Sequence, residues 1–145
     1  RLNQIIIFVK LYIMFFNNFK IKKVKDKRGI IEIFENDEKF NFKIKRIFYI
    51  HSNFKNFTRA DHAHKITRQI LICLNGSAEL ILDNGKKKKK LKIKKNGKAI
   101  YVKKGVWHTL KNMTKDCLLL VLCDQKYNKR KDYINNYKEF LKLYR

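Results

Sequence analysis

From residue 19 to residue 123 the chain consists of short runs in which Ile, Leu, Val, Phe or Tyr alternate with polar residues, mostly lysine. A period of two places alternate side chains on opposite faces of an extended backbone, so each run predicts a β-strand. The runs fall at 19–24, 30–34, 42–50, 58–64, 69–74, 77–82, 90–94, 99–102, 107–111 and 117–123. Asn75-Gly76 lies between two apolar runs and predicts a tight hairpin. Asp83-Asn84-Gly85 and Asn96-Gly97 mark two further turns. Many short strands with such punctuation describe an all-β sandwich or barrel.

The period changes near the C-terminus. Tyr133, Ile134, Tyr137, Phe140 and Leu141 fall at i, i+1, i+4, i+7 and i+8, which gives one apolar stripe on a helix. Asp132 is placed to cap it. Such a helix packs across the outside of the sheets, with its tyrosines in the core or an interface rather than against a ligand. No internal repeat or linker divides the chain.

At 145 residues and 45% hydrophobic content, the length suits one domain with a sizeable core. Lys and Arg number 36 against 12 Asp and Glu, a net charge of +24. That balance would suit a polyanion. The lysines, however, are spread along the whole chain, and the lack of proline points to a compositional bias rather than to a selected basic stripe. Nucleic acid is therefore not the expected partner, and Lys86 to Lys90 reads as a solvated strand edge that resists edge pairing. Cys73, Cys117 and Cys123 contain no C-x-x-C pair and read as reduced core thiols of a cytoplasmic protein. The apolar stretch from Ile5 to Phe16 is too short for a bilayer, which takes about 20 residues, and no small-residue cleavage site follows it. Residues 1–18 are expected to be an N-terminal extension or strand, with Met14 opening a more ordinary beginning, and 19–145 a single domain.

Histidine carries the candidate chemistry. Three of the four sit at His62, His64 and His108. Residues two apart on a strand share a face, so His62 and His64 aim at one space, and His108 on a later strand can reach it. Clustered imidazoles inside a cup of strands make either a metal site or an acid/base site.

The spacing resembles the cupins, the double-stranded β-helix proteins, whose first motif is G-x5-H-x-H-x3-4-E-x6-G and whose second is G-x5-P-x-G-x2-H-x3-N. His62, His64, Gln69 and Gly76 stand at the offsets of the first motif; Gly97, Lys103, Gly105, His108 and Asn112 stand at those of the second. The departures are Asn56 for glycine, Gln69 for glutamate and Lys103 for proline. Gln69 offers a neutral amide where a metal-binding cupin has a carboxylate, which weakens a metal site, although three histidines alone can hold zinc. The expected fold is an all-β cupin jelly roll with a C-terminal α-helix, and no metal or other cofactor is expected.

Within the cupins the chain is most similar to the nucleotide-sugar 3,4-ketoisomerases that act on dTDP-4-keto-6-deoxyglucose. Arg59-Ala60-Asp61-His62-Ala63-His64-Lys65 matches the R-G-x-H-A-H-K run, and Gln69 to Ser77 matches Q-x-L-x-C-x-x-G-S. Asp26-Lys27-Arg28-Gly29, Lys45 to Ile50, Val106-Trp107-His108 and the ending Asp132-Tyr133-Ile134-x-x-Tyr137-x-x-Phe140 match as well, so the likeness spans 20–142. Ala60 stands where the family has glycine.

The resemblance implies movement of a ketone from C4 to C3 of a dTDP-linked 6-deoxyhexose through an enediolate, in deoxy-amino-sugar biosynthesis for a surface polysaccharide. His62 and His64 would be the base and the proton shuttle, in an order left open. Tyr49, Gln69 and His108 would donate hydrogen bonds to the enediolate. Arg59, Arg46 and Arg28 would meet the pyrophosphate, whose charge suits the guanidinium fork. Tyr101 and Trp107 would stack on the base or line the sugar pocket. A homodimer is implied, with no membrane partner. The alternatives are a metal-dependent cupin enzyme, a nucleotide-sugar 3,5-epimerase, or a non-catalytic polyanion- or sugar-binding module. The second histidine, His64, and the K-x-x-x-Q continuation favour the ketoisomerase over the epimerase.

Overall fold

A computed structural model describes residues 15–35, 41–51 and 57–145. Asn56 and the proposed extension up to residue 14 lie outside them. The chain runs through β1 (Phe16–Phe19), β2 (Lys22–Asp26), β3 (Gly29–Ile33), β4 (Arg46–His51), β5 (Arg59–His64), β6 (Gln69–Asn75), β7 (Ser77–Asp83), β8 (Lys88–Lys94), β9 (Ala99–Val102), β10 (Trp107–Lys111) and β11 (Leu118–Cys123). A short α1 (Lys129–Asp132), a two-residue β12 (Tyr133–Ile134) and α2 (Tyr137–Tyr144) complete it.

Two five-stranded antiparallel sheets face each other, in the orders β1-β9-β6-β11-β4 and β12-β5-β10-β7-β8. β2 and β3 form a separate hairpin. Leu71 and Cys73 of β6, Leu119 and Val121 of β11, Leu80 and Leu82 of β7, and Leu110 of β10 fill the space between the sheets. β6 is buried on both faces, because Ile70 and Ile72 pack outward under Phe42, Phe19 and Phe34. The outer face of the second sheet is covered by α2, whose Phe140 packs with Trp107, Ala63 and Ile134. This is the expected all-β architecture with its terminal helix.

Three local expectations are corrected. The run at 19–24 is broken, because β1 pairs with β9 whereas β2 turns away to pair with β3. Asn75-Gly76 is not a hairpin: β6 and β7 lie in different sheets, and the chain crosses between them at Gly76. Gly76 has φ +63, and a Cβ there would stand 2.8 Å from the Cys117 backbone, so this corner needs glycine for both conformation and space. The C-terminal helix starts later than the stripe suggests. Asn136, not Asp132, caps α2, its side chain accepting from the Glu139 N–H at 3.0 Å. Tyr133 and Ile134 instead pair with His64 and Ala63 of β5. Asp132 is turned into the interior.

α2 thus fastens the segment that carries Asp132 and Tyr133. Trp107 and Phe140 ring centroids are 5.5 Å apart, and the Tyr137 hydroxyl donates to Asp83 Oδ2 at 2.5 Å. Phe140 is fully buried. Phe140→Ala is expected to destabilise the fold by about 3–5 kcal/mol, read as a lower urea midpoint with an unchanged slope.

Candidate active site

The side-chain period along β10 sets the direction of each residue. His108 and Leu110 point between the sheets, while Trp107 and Thr109 point to the outer face. β5 approaches β10 through a bulge: His108 is opposite His62, yet Thr109 is opposite Ala60. Asp61 is the extra residue. Ala60 and Asp61 have φ +67 and +57, and Asp61 turns outward to accept from the Thr109 hydroxyl at 2.7 Å. Beyond the bulge normal alternation resumes, so His62 and His64 both face inward with Ala63 buried on the outer side.

The three rings therefore meet. His62 lies 4.9 Å from His64 and 4.6 Å from His108, centroid to centroid, and His64 stacks on His108 at 5.4 Å. They close one end of a cavity of about 490 Å³. His62 and His108 line its wall with Gln69, Tyr49, Arg59 and Tyr133; Phe48, Leu71 and Val121 make the apolar side. His64 stands behind, buried, with its Nε2 3.3 Å from that of His62.

Each imidazole has its Nδ1 held by a group that only accepts. His62 Nδ1 donates to the Ala60 carbonyl at 2.9 Å, His108 Nδ1 to the Val106 carbonyl at 3.3 Å, and His64 Nδ1 to Asp132 Oδ2 at 2.7 Å. In the neutral rings the lone pairs are thereby left on Nε2. Asp132 Oδ2 also accepts from the Thr67 hydroxyl at 2.5 Å, and Oδ1 accepts from the Ile66 and Thr67 amides at 2.9 and 3.2 Å. Burial alone would raise its pKa, but these donors and His64 hold the carboxyl below its ordinary range. Burial lowers His62 and drives His108 well below the usual imidazole range. Burial also brings His64 down to about 4, outweighing the attraction of Asp132. At neutral pH the His64–Asp132 contact is thus a hydrogen bond from a neutral ring to a carboxylate.

The same three histidines are the described residues whose donor atoms come close enough to share a metal, within 4.8 Å of one another. The set does not fit a four-ligand centre. Gln69 stands in the fourth place of the motif and directs its Nε2 donors at His64 Nε2 (3.3 Å) and Cys123 Sγ (3.7 Å). A donor N–H thus faces the position where a carboxylate ligand would be needed.

With fold and cluster in view, comparison with known proteins is decisive. The family model described as "FdtA: WxcM-like, C-terminal" matches residues 16–145. The chain belongs to this family. It is 36% identical, over 83% of its length and 86% of the relative's, to the TDP-4-oxo-6-deoxy-alpha-D-glucose-3,4-oxoisomerase of Aneurinibacillus thermoaerophilus. Among solved structures, the TDP-fucose-3,4-ketoisomerase WlaRA of Campylobacter jejuni superposes with a TM-score of 0.82 at 37% identity, over 91% of this chain and 97% of that one. A mutant of the 3,4-ketoisomerase QdtA of Thermoanaerobacterium thermosaccharolyticum, solved with TDP-4-keto-6-deoxyglucose, superposes with a TM-score of 0.83 at 32% identity, over 91% and 95% of the two chains. The fold is the cupin-like β-fold of these 3,4-ketoisomerases.

Of the residues singled out from the sequence, His62, His108, Gln69, Tyr49 and Arg59 line the cavity, and His64 backs it. Four do not line it. Arg46 is not a lining residue but stands next to the site: its charge acts on His62, His64 and Tyr133, while its guanidinium donates to Cys123 Sγ at 3.3 Å and lies over Phe48 and Tyr127. Arg28 is exposed at the tip of the β2–β3 hairpin and paired with Asp26. Tyr101 is buried among Phe19 and Phe42 on the far side of the first sheet. Trp107 anchors α2 on the outer face of the second sheet. In both aromatic cases the strand period decides: Ile100 and Val102 face the core between the sheets and His108 faces the cavity, so Tyr101 and Trp107 turn to the opposite faces.

The sequence reading missed Asp132, taken as a helix cap, and Tyr133, taken as part of the helix stripe. Tyr133 lines the cavity with its ring 4.6 Å from both His62 and His64. The family-matching Asp132-Tyr133-Ile134 run was the available signal. The three cysteines are free and buried, and among the described residues no helix is long and apolar enough to cross a membrane.

The depressed histidines make stability depend on pH. In the unfolded chain His64 takes up a proton near its ordinary 6.5, while the folded site resists protonation down to about 4. The stabilisation is full above pH 6.5 and drains away as pH falls from about 6.5 to 4, by about 3 kcal/mol for His64 alone. His62 and His108 are displaced in the same direction. The melting temperature is expected to be markedly lower at pH 4.5 than at pH 7.5, with His64→Asn flattening the dependence.

Proposed function

We propose that the chain converts a dTDP-linked 4-keto-6-deoxyhexose to its 3-keto isomer, with His62 as the group that exchanges protons with the sugar and His64 as its partner. One observation carries the assignment: His62 is on the cavity wall, and its Nε2 is backed at 3.3 Å by a second neutral imidazole. The greater depth of His64 supports His62 as the group that meets the sugar.

The C3–H bond lies next to the C4 carbonyl. His62 Nε2 takes the C3 proton, the freed electron pair forms the C3–C4 double bond, and the C4 oxygen gains the negative charge. The hydroxyl proton of O3 passes to O4. C4 then takes a proton back from His62 as the C3–O bond becomes the carbonyl. No electrons leave the sugar, so no redox cofactor enters. Positioned acid/base groups typically contribute about 10²- to 10⁴-fold. Tyr49, on the cavity wall, is the hydroxyl in place to donate to the developing oxyanion; neutral His108, its hydrogen committed to the Val106 carbonyl, presents a bare Nε2 and lines the wall without donating, and Gln69 shares that wall while donating to His64. Arg59 is exposed at the rim, where its planar fork suits the pyrophosphate. The apolar side excludes water from the enediolate.

In this reading the enzyme works as a cytoplasmic homodimer that supplies a deoxy-amino-sugar pathway for surface polysaccharide. The exposed Val24, Ile30 and Ile31 of the β2–β3 hairpin support self-association. Arg28 and Arg46, though not lining the cavity, keep the nucleotide-side role that the resemblance implies. Sedimentation of the intact chain at micromolar concentration is expected to give the mass of two copies; a monomer would remove this part of the reading.

Incubation with dTDP-4-keto-6-deoxyglucose in deuterium oxide, followed by NMR, is expected to yield the 3-keto sugar, with deuterium at C4 only in the fraction of turnovers in which the proton held on His62 exchanges with solvent before it returns. His62→Asn should lower kcat by about 10²- to 10⁴-fold with the melting transition retained. Full turnover in that variant, or an unchanged substrate with the unaltered chain, would refute the assignment.

A further inference from the structure

The FdtA-family site holds a buried carboxylate that none of the expected roles uses. We infer that Asp132 is a positioning residue of the isomerase, and that it acts by fixing which nitrogen of His64 carries the proton. The inference rests on the reaction proposed above and adds a residue to it.

The geometry leaves Asp132 little freedom. Both oxygens are engaged: the Ile66 and Thr67 amides, which can only donate, meet Oδ1, and the Thr67 hydroxyl and His64 Nδ1 meet Oδ2. An ionised carboxylate in this cage can only accept, so His64 must keep its hydrogen on Nδ1 and present the lone pair of Nε2. That lone pair faces His62 Nε2 at 3.3 Å. Gln69 Nε2 also approaches that atom, at 3.3 Å, a donor that likewise requires it to be bare. The Nδ1 of His62 is likewise committed to the Ala60 carbonyl, so its only free basic position is the Nε2 that meets His64.

The neutral site thus sets two lone pairs against each other. This is unfavourable until one proton arrives, and favourable afterwards. When His62 Nε2 takes the C3 proton from the sugar, the new N–H can donate to His64 Nε2. The proton is held between the pair and the cavity until it returns to C4. Asp132 accepts no proton in this sequence; it keeps the acceptor in place. With the opposite tautomer, His64 would point an N–H at His62 Nε2, and that atom could bind the substrate proton only by giving up the bond.

Asp132→Asn tests this with little change of shape. Its amide oxygen can still accept from the Ile66 and Thr67 amides, while its NH₂ faces His64 Nδ1 and drives the ring to the other tautomer. We expect ¹⁵N NMR of the substrate-free protein to show His64 protonated on Nδ1 in the unaltered chain and on Nε2 in Asp132→Asn. The variant's kcat should fall 100-fold or more with KM within threefold. Thr67→Val keeps the carboxylate and its bond to His64 while weakening the same buried network. It should lose stability yet keep the tautomer and kcat within about fivefold. The inference is overturned by a His64 protonated on Nε2 in the unaltered chain, by an Asp132→Asn kcat within threefold of the original, or by a Thr67→Val loss as deep as that of Asp132→Asn. An unaltered chain that leaves the keto-sugar unchanged refutes the proposed reaction instead. The two failures are told apart because the tautomer is read without substrate.

Discussion

A carboxylate buried beneath two imidazoles ties the end of this chain to the middle of its barrel. Removing a carboxylate from water is unfavourable by several kcal/mol even after the protein relaxes around it. Asp132 is 1% exposed and ionised, so its hydrogen bonds must offset that penalty. Four donors do so, and all come from the stretch between His64 and Thr67. Charge-assisted hydrogen bonds of this kind are about twice as strong as neutral ones. The interaction therefore sets three things together: the path of the loop after β5, the docking of β12 beside β5, and the orientation of His64.

The docking in turn depends on packing remote from the chemistry. β12 is only two residues long and could not persist as an isolated pair. It is held because Ile134 enters the same cluster as Phe140 and Trp107, on the face of the second sheet opposite the cavity. Gly105 allows the Tyr144 ring to approach where a Cβ would be 2.5 Å from it, and Gly85 lies under the end of the same helix. The aromatic cluster and the histidine cluster are the two faces of one sheet, linked through alternate residues of β5 and β10. A change that loosens α2 reaches the cavity through Tyr133 and Asp132 without touching either histidine.

Much of this was legible in the sequence because a period of two is a strong signal when one face is wet. The strands from β4 to β11 fall close to where alternation put them, and His62 and His64 share a face for the reason their spacing gave. The misreadings have one cause in common: they concern contacts between residues far apart in sequence. Asn75-Gly76 has hairpin chemistry, but the bulk of Thr114 and Cys117 around Gly76 makes the turn a corner between sheets. Asp132 is a good helix cap in isolation, but His64 and Thr67 outbid the α2 amides for it. Tyr101 and Trp107 have the right chemistry for a nucleotide base, and only their parity on β9 and β10 sends them to the opposite faces. The bulge at Ala60–Asp61 is not marked by a glycine in this chain; its one signal was the glycine that the resembled family carries where Ala60 stands.

That bulge joins the fold to the chemistry. Without the extra residue, strict alternation from Ala60 would carry Asp61 inward opposite His108 and turn both histidines out. With it, Asp61 goes to the outer face and is satisfied by Thr109, while the Ala60 carbonyl is left facing the His62 ring. The bulge thus supplies both the inward register and the acceptor that fixes the His62 tautomer. A base that must remove a proton from carbon works best when neutral and only weakly solvated before the reaction, with an acceptor waiting to stabilise its protonated form. Burial keeps His62 and His64 neutral, and the bulge and the C-terminal carboxylate each aim one of them. The proton affinity of the pair is therefore set by backbone geometry at one residue and by a charge at the other. This is why two chemically identical side chains, two positions apart, are not interchangeable in the proposed reaction.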